Sequence, residues 1–174
     1  MAGKISWLTS GLTILGTAGA HGLTIDKLVA ATGLSTGSFY HHFGSMAGFK
    51  KALLAHFEEL HTQRYIREAD TAGPDARARL NLLIDLVLAD AEPGRLEVAV
   101  RAWALDDPLA ATAKQRVDAA RLDYLRELLH DCGYPAPAAE QTAQILYLLV
   151  LGAGAIMPEL PPDQLRVLCE RVLA

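Results

Sequence analysis

Twenty residues, Thr24–Phe43 (TIDKLVAATGLSTGSFYHHF), constrain this chain more than any others. They spell two short helices split by a glycine-bearing turn. Thr24 accepts from an orphan backbone N–H at the start of the first helix, and Ile25, Leu28 and Val29 recur on one face. Gly33 stands where that helix must stop, because glycine enters the left-handed conformation without a Cβ penalty. Leu34 fills the turn, and Ser35 caps a second helix of about two turns. Helix, tight turn, helix is the arrangement that lays its second helix in the major groove of DNA.

On a wheel of about 100° per residue the second helix separates into two faces. Phe39 and Phe43 lie together and face a core. Gly37 and His41 lie opposite, flanked by Ser38 and Tyr40. The outward face is therefore small, hydroxylated and aromatic-polar, with no carboxylate. Hydroxyls reach phosphates or base edges, and imidazole donates or accepts. The same geometry also serves as plain helical packing, so the charge distribution bears on the choice.

The chain of 174 residues carries a net charge of −4, unevenly spread. Residues 1–56 hold Lys4, Lys27, Lys50 and Lys51 against Asp26 alone, a balance of +3, and the remainder carries −7. A mildly basic segment joined to an acidic one fits a DNA-reading end on a body with another task.

Helical periodicity runs through the rest. Lys4–Ala18 places Ile5, Leu8, Leu12 and Leu15 on one stripe, although Gly11 and Gly16 each weaken a helix by about 1 kcal/mol relative to alanine. Gly44 ends the second motif helix and Ser45 caps a long third element, in which Met46, Phe49, Leu53, Phe57 and Leu60 recur as far as Ala69. At 1.5 Å per residue that helix spans roughly 36 Å and links the motif to the body. Breaks at Thr71–Asp75, Pro93-Gly94 and Pro158–Pro162 delimit helices over Ala76–Ala91, Arg95–Leu105, Leu109–Cys132, Ala138–Gly152 and Gln164–Leu173. Asp107-Pro108 is a capped helix start. The fold class is all-α with about nine helices: a three-helix DNA-binding unit over residues 1–45, joined by the long helix to a helical body over 46–174.

Ala138–Gly152 is uncharged past Glu140 and apolar all round, which predicts burial on every side. With the last helix it forms a pair suited to meet its copy in a homodimer, Gly152–Ala155 allowing close approach. The longest apolar run, Ile145–Met157, is shorter than the roughly 20 residues of a membrane span, and no secretory leader stands out. Cys132 and Cys169 lack metal or redox spacing. His41 and His42 are adjacent, and His56 and His61 are five apart, so no histidine pair suits a metal. No phosphate loop or nucleophile motif is present. The expectation is a cytoplasmic protein with no metal, no cofactor, no membrane contact and no enzymatic activity.

LTIDKLVAATGLSTGSFYHHF, followed by a polar residue and a long helix, resembles the tetracycline-repressor (TetR) family of bacterial transcription regulators. The resemblance implies a dimer whose reading helices enter successive major grooves of a palindromic operator. It also implies an effector pocket in each body, whose filling moves the long helix. Carried onto this sequence, Thr24 matches a phosphate-contacting cap, and Thr36, Gly37, Ser38 and His41 match base-region positions. Tyr40 and His42 match phosphate contacts, and Phe39 and Phe43 match core positions. Met46 stands where many members carry lysine, Asp26 where some carry a cation, and no arginine precedes Arg64. Lys27, Lys50 and Lys51 must therefore supply most of the electrostatic attraction.

For the pocket, Trp103 and Tyr147 are amphipathic residues on apolar stripes and Phe57 lies on the linking helix. These three suit an apolar or aromatic small molecule, or plain core packing. Two functions fit the chain: an effector-released repressor on double-stranded DNA, or a sensor or partner-binding protein of the same fold with weak or lost DNA binding.

Overall fold

The computed structural model describes residues 2–89, 93–155 and 160–174. Among these every regular element is helical: one short 3-10 turn, Ala20–Gly22, and nine α-helical runs. They are α1 (Ala2–Ala18), α2 (Ile25–Thr32), α3 (Thr36–Phe43), α4 (Met46–Glu58) continuing into α5 (Arg64–Asp70), α6 (Ala76–Ala89), α7 (Pro93–Asp106), α8 (Pro108–Asp131), α9 (Ala136–Ala153) and α10 (Pro162–Leu173). The expected helix end at Ala91 and the break at Pro158 lie outside the described residues.

Three elements depart from the sequence expectation. The long linking helix is not uniformly α: Glu59–Gln63 between α4 and α5 is π-helical, a widened turn that periodicity in apolar residues cannot reveal. Pro93-Gly94 does not interrupt the chain but opens α7, since a proline in the first turn lacks only an N–H that would be orphaned anyway. Pro137 sits inside the first turn of α9 for the same reason.

The chain divides into two compact units, one of Met1–Glu59 with Arg95–Gln115, the other of Leu60–Gly94 with Arg116–Ala174. The first unit therefore extends past residue 45, and glycine explains how α4 joins it. A Cβ on Gly11 of α1 would lie 2.7 Å from the Phe49 ring and 2.9 Å from Leu53, both buried residues of α4. Gly11 weakens α1 as a helix and lets α4 approach it. Trp7, Phe39, Phe43 and Phe49 fill the centre, Phe39 meeting Trp7 edge-on at 5.5 Å and Phe49 at 5.3 Å. Edge-to-face and tilted rings at these separations add to their area burial.

The second unit has an aliphatic core in which Leu80, Leu128, Leu129, Leu146, Leu165 and Cys169 are buried. Burial raises the Cys169 thiol above its ordinary range. Ion pairs surround the core. Arg79 meets Asp131 at 3.2 Å and Asp70 at 3.7 Å, and Arg166 pairs with Asp85. The Tyr124 hydroxyl donates to Asp70 at 2.6 Å, and burial followed by that carboxylate drives its phenol well above the usual tyrosine range.

This chain by itself covers one side of helix α9. Ile145 is 47% and Leu148 65% exposed, beside exposed Gln141 and Gln144, while Ala143, Leu146 and Tyr147 turn inward. The small residues at its end also work within the chain: a Cβ on Gly154 would lie 2.8 Å from the Gly94 Cα.

Candidate nucleic-acid interface

The motif is built by its caps. Thr24 Oγ1 accepts from the Lys27 N–H at 3.4 Å, Ser35 Oγ from Ser38 N–H at 3.2 Å, and Ser45 Oγ from Gly48 N–H at 3.0 Å. Each hydroxyl thus uses an acceptor site on its own helix and keeps its proton for another acceptor, such as a phosphate oxygen. Gly33 closes α2 at φ 67° with its N–H on the Val29 carbonyl, which sets the short turn into α3. Behind the motif, α1 packs on α2, α3 and α4.

Helix α3 is anchored by one face and free on the other. Phe39 is fully buried and Phe43 half-buried, whereas Thr36, Gly37 and His41 are exposed and Tyr40 is 48% exposed. Ser38 is half-buried. His42 turns from the outward face toward α1, its Nε2 only 3.2 Å from where a Gly3 Cβ would stand. Thr24, Lys27, Ser35 and Lys51 are exposed. The surface formed by the capped α2 start and the outer face of α3 holds hydroxyl, phenol, imidazole and ammonium groups, with Asp26 the one carboxylate among its residues.

Lys50 differs from Lys51. Its Nζ lies 3.3 Å from Asp107 Oδ2 and 5.4 Å from the Trp103 ring centroid, so its charge is already matched by an anion of the same unit. Trp103, 5% exposed, donates its indole N–H to that carboxylate at 2.9 Å rather than to a carbonyl. Trp7 contrasts with it: fully buried, with no partner for its Nε1 among the described residues.

The residues expected around an effector fall in both units. Phe57 and Trp103 are buried in the first. Tyr147 belongs to the second, where its hydroxyl donates to Asp118 at 2.5 Å and accepts from Arg121 Nη1 at 3.4 Å. Arg121 also grips the π-helical turn, with Nε on Thr62 Oγ1 at 3.0 Å and Nη2 on the His61 carbonyl at 3.1 Å. Arg121, Asp118 and Thr62 carry no signal in a sequence scanned for aromatic residues. Helical spacing alone would have put Asp118 and Arg121 on one face of α8.

Among the described residues no group of three or more histidine, cysteine, aspartate or glutamate side chains is placed to hold a metal, and no helix is long and apolar enough to cross a membrane.

An all-α chain whose first unit presents a capped helix-turn-helix of this kind has the architecture in which the second helix is laid in the major groove of DNA. Residues 8–54 match the profile of the bacterial regulatory proteins of the tetR family. No curated protein matches it. Among solved structures, a TetR/AcrR family member is 21% identical, with a TM-score of 0.85 and 99% of each chain covered. A TetR-family transcriptional regulator from Agrobacterium tumefaciens is 17% identical at a TM-score of 0.78, covering 97% of this chain and 96% of its own. A TetR transcription regulator from Haloarcula marismortui is 18% identical at 0.77, covering 98% and 94%. At such identities the likeness is one of fold.

Proposed function

We propose that this chain is a homodimeric repressor that reads a palindromic operator through α3 and is released by a small molecule bound in the second unit. The observation that carries the reading is the outer face of α3: a helix capped by Ser35, fixed inward by Phe39, and presenting Thr36, Gly37, Tyr40 and His41 outward without a carboxylate. Gly37 leaves the backbone open to close approach, the hydroxyls and imidazole supply donors, and Lys27 and Lys51 supply charge. Thr24, Ser35, Ser38 and His42 complete the contact set, Ser38 and His42 from the edge of the face.

The apolar side chains on α9 and α10 support dimerisation: Ile145, Leu148 and Val167 stand exposed. Two such helices meeting their copies make a four-helix bundle. For the effector, Tyr147 with Arg121 and Asp118 offers polar anchors beside an apolar core, which suits an aromatic or apolar molecule bearing a polar tip. Arg121 also holds the π-helical turn of the linking helix, so a ligand that competes for its fork has a direct hold on that helix.

Selection of fragments from a genomic library by the full chain tests the reading. Retention of a palindromic fragment with half-sites about one helical turn apart is expected, with Tyr40→Phe lowering its occupancy. A second reading, a sensor or partner-binding protein with weak DNA contact, is favoured by the absence of arginine before Arg64 and by the pairing of Lys50 with Asp107. The same selection decides: no enrichment of any fragment supports the second reading and removes the first.

A further inference from the structure

Asp107 lies at the junction of α7 and α8, and its carboxylate serves three elements at once. Oδ1 accepts from the Leu109 N–H at 2.9 Å and caps α8. Oδ2 accepts from the Trp103 indole at 2.9 Å, within α7, and from Lys50 Nζ at 3.3 Å, on α4. The side chains of Lys50 and Asp107 keep only 30% and 23% of their exposure, and the ammonium also sits over the indole ring. A partly shielded pair with an aromatic face on one side is stronger than an exposed surface bridge. The Trp103 hydrogen bond, then the Leu109 N–H and Lys50, hold the Asp107 carboxyl below its ordinary range.

For Lys50 to serve a phosphate, it would have to leave Asp107 and expose that carboxylate near the DNA. Lys51, one residue along, is exposed and faces no such choice. Helix α4 packs on α3, with Phe49 meeting Phe43 edge-on at 5.1 Å, so whatever fixes α4 also fixes the reading helix.

We propose that Lys50 is a positioning residue and not a phosphate contact: Asp107 and Trp103 hold α4 at the α7–α8 corner, and this corner sets the pose in which α3 meets DNA. The proposal rests on α3 being the reading helix. It makes the corner the place where a change elsewhere in the chain would enter the DNA-binding unit.

The experiment separates position from charge by salt dependence, using the genomic fragment that the full-length chain retains. Taking away one lysine–phosphate pairing lowers the slope of log affinity against log salt by about 0.9. Lys50→Met, which keeps the stem over the indole, is expected to weaken binding about ten-fold with the slope unchanged. Lys50→Arg should stay within about three-fold of the parent. Lys51→Met is expected to lower the slope by about 0.9. Asp107→Asn should weaken binding although it makes the chain less acidic. A slope reduced by about 0.9 in Lys50→Met, or tighter binding by Asp107→Asn, overturns the proposal, because both mean that Lys50 reaches a phosphate. If Asp107→Asn does not fold, Lys50→Met decides alone, since it leaves the α8 cap intact.

A second measurement needs no DNA. In a Trp7→Phe background the Trp103 indole N–H is the only one, and Lys50→Met should speed its hydrogen exchange at least ten-fold. Unchanged exchange overturns the corner as one coupled unit. If the parent chain retains no fragment, the DNA reading fails while this second measurement still tests the corner.

Discussion

The two units complete their cores in different ways. The first closes around four aromatic rings and uses glycines to bring helices together: Gly11 admits Phe49 and Leu53, and Gly48 leaves room for the Phe43 carbonyl. Its helix α3 turns small, hydroxylated and aromatic-polar groups outward, while Ile5, Val98, Leu105 and Leu109 stand exposed elsewhere in the unit. The second has an aliphatic core and ion pairs, and it leaves Ile145, Leu148 and Val167 exposed on α9 and α10. A unit that must present one rigid helix to a ligand gains from a core that tolerates no slack. The contrast can be broken at single positions in each.

The largest effect belongs to Gly48. In the first turn of α4, a Cβ there would overlap the Phe43 carbonyl, which is backbone at the end of α3 and has no rotamer to yield. Gly48→Ala is expected to destabilise the first unit by about 3 kcal/mol, at the upper end of overpacking. Denaturant unfolding followed at Trp7, in a chain carrying Trp103→Phe in both parent and variant, measures it. A loss below about 0.5 kcal/mol would mean that α3 and α4 slide apart freely, against the rigidity ascribed to this unit. The comparable change in the second unit, an alanine at Gly152, meets nothing within 4 Å and should be close to neutral there.

Leu148 gives the second test. Leu148→Glu adds charge to an exposed position and leaves the core of the unit untouched, so folding and helix content should hold. If α9 joins a second copy, the substitution buries carboxylates against one another, and sedimentation should show monomer where the parent is dimer. A parent that sediments as monomer, or a variant that remains dimeric, removes α9 as the association surface.

How much of this is legible in the sequence follows the same division. The motif is readable almost to the residue because its signals are local: Thr24, Ser35 and Ser45 cap within their own helices, and Gly33 takes the left-handed conformation that its neighbours forbid. The same locality marks Asp107 as a helix cap. It does not mark the same carboxylate as the partner of Lys50, 57 residues away. Nor does it reveal Gly48, whose meaning depends on a carbonyl across a helix junction, or Trp7, which shares no helix with the rings it meets. The π-helical turn stays hidden because apolar spacing of three and four tolerates one inserted residue. Helix α9 reads as fully buried because periodicity reports apolar residues, not whether this chain alone covers them.

The smallest effect is one of pH, and it sharpens the view of the first unit as a closed core. His56 on α4 has its Nε2 buried without a partner among the described residues, and burial lowers its basicity below the ordinary value despite the nearby Glu59 carboxylate. A base whose folded-state pKa is depressed binds its proton more readily when unfolded, so stability rises with pH where the two states differ. Well above about pH 6.5, the ordinary value, His56 is neutral in both states and contributes no pH dependence. As pH falls through that value the unfolded chain takes up the proton first and stability drops, until the folded protein also protonates. His56→Gln removes this step. Between about pH 7.5 and 5.5 the parent should lose more stability than the variant, by less than one proton's worth of slope because His56 is only partly buried. Equal slopes would mean that water already reaches the ring and that the core of the first unit stops short of His56.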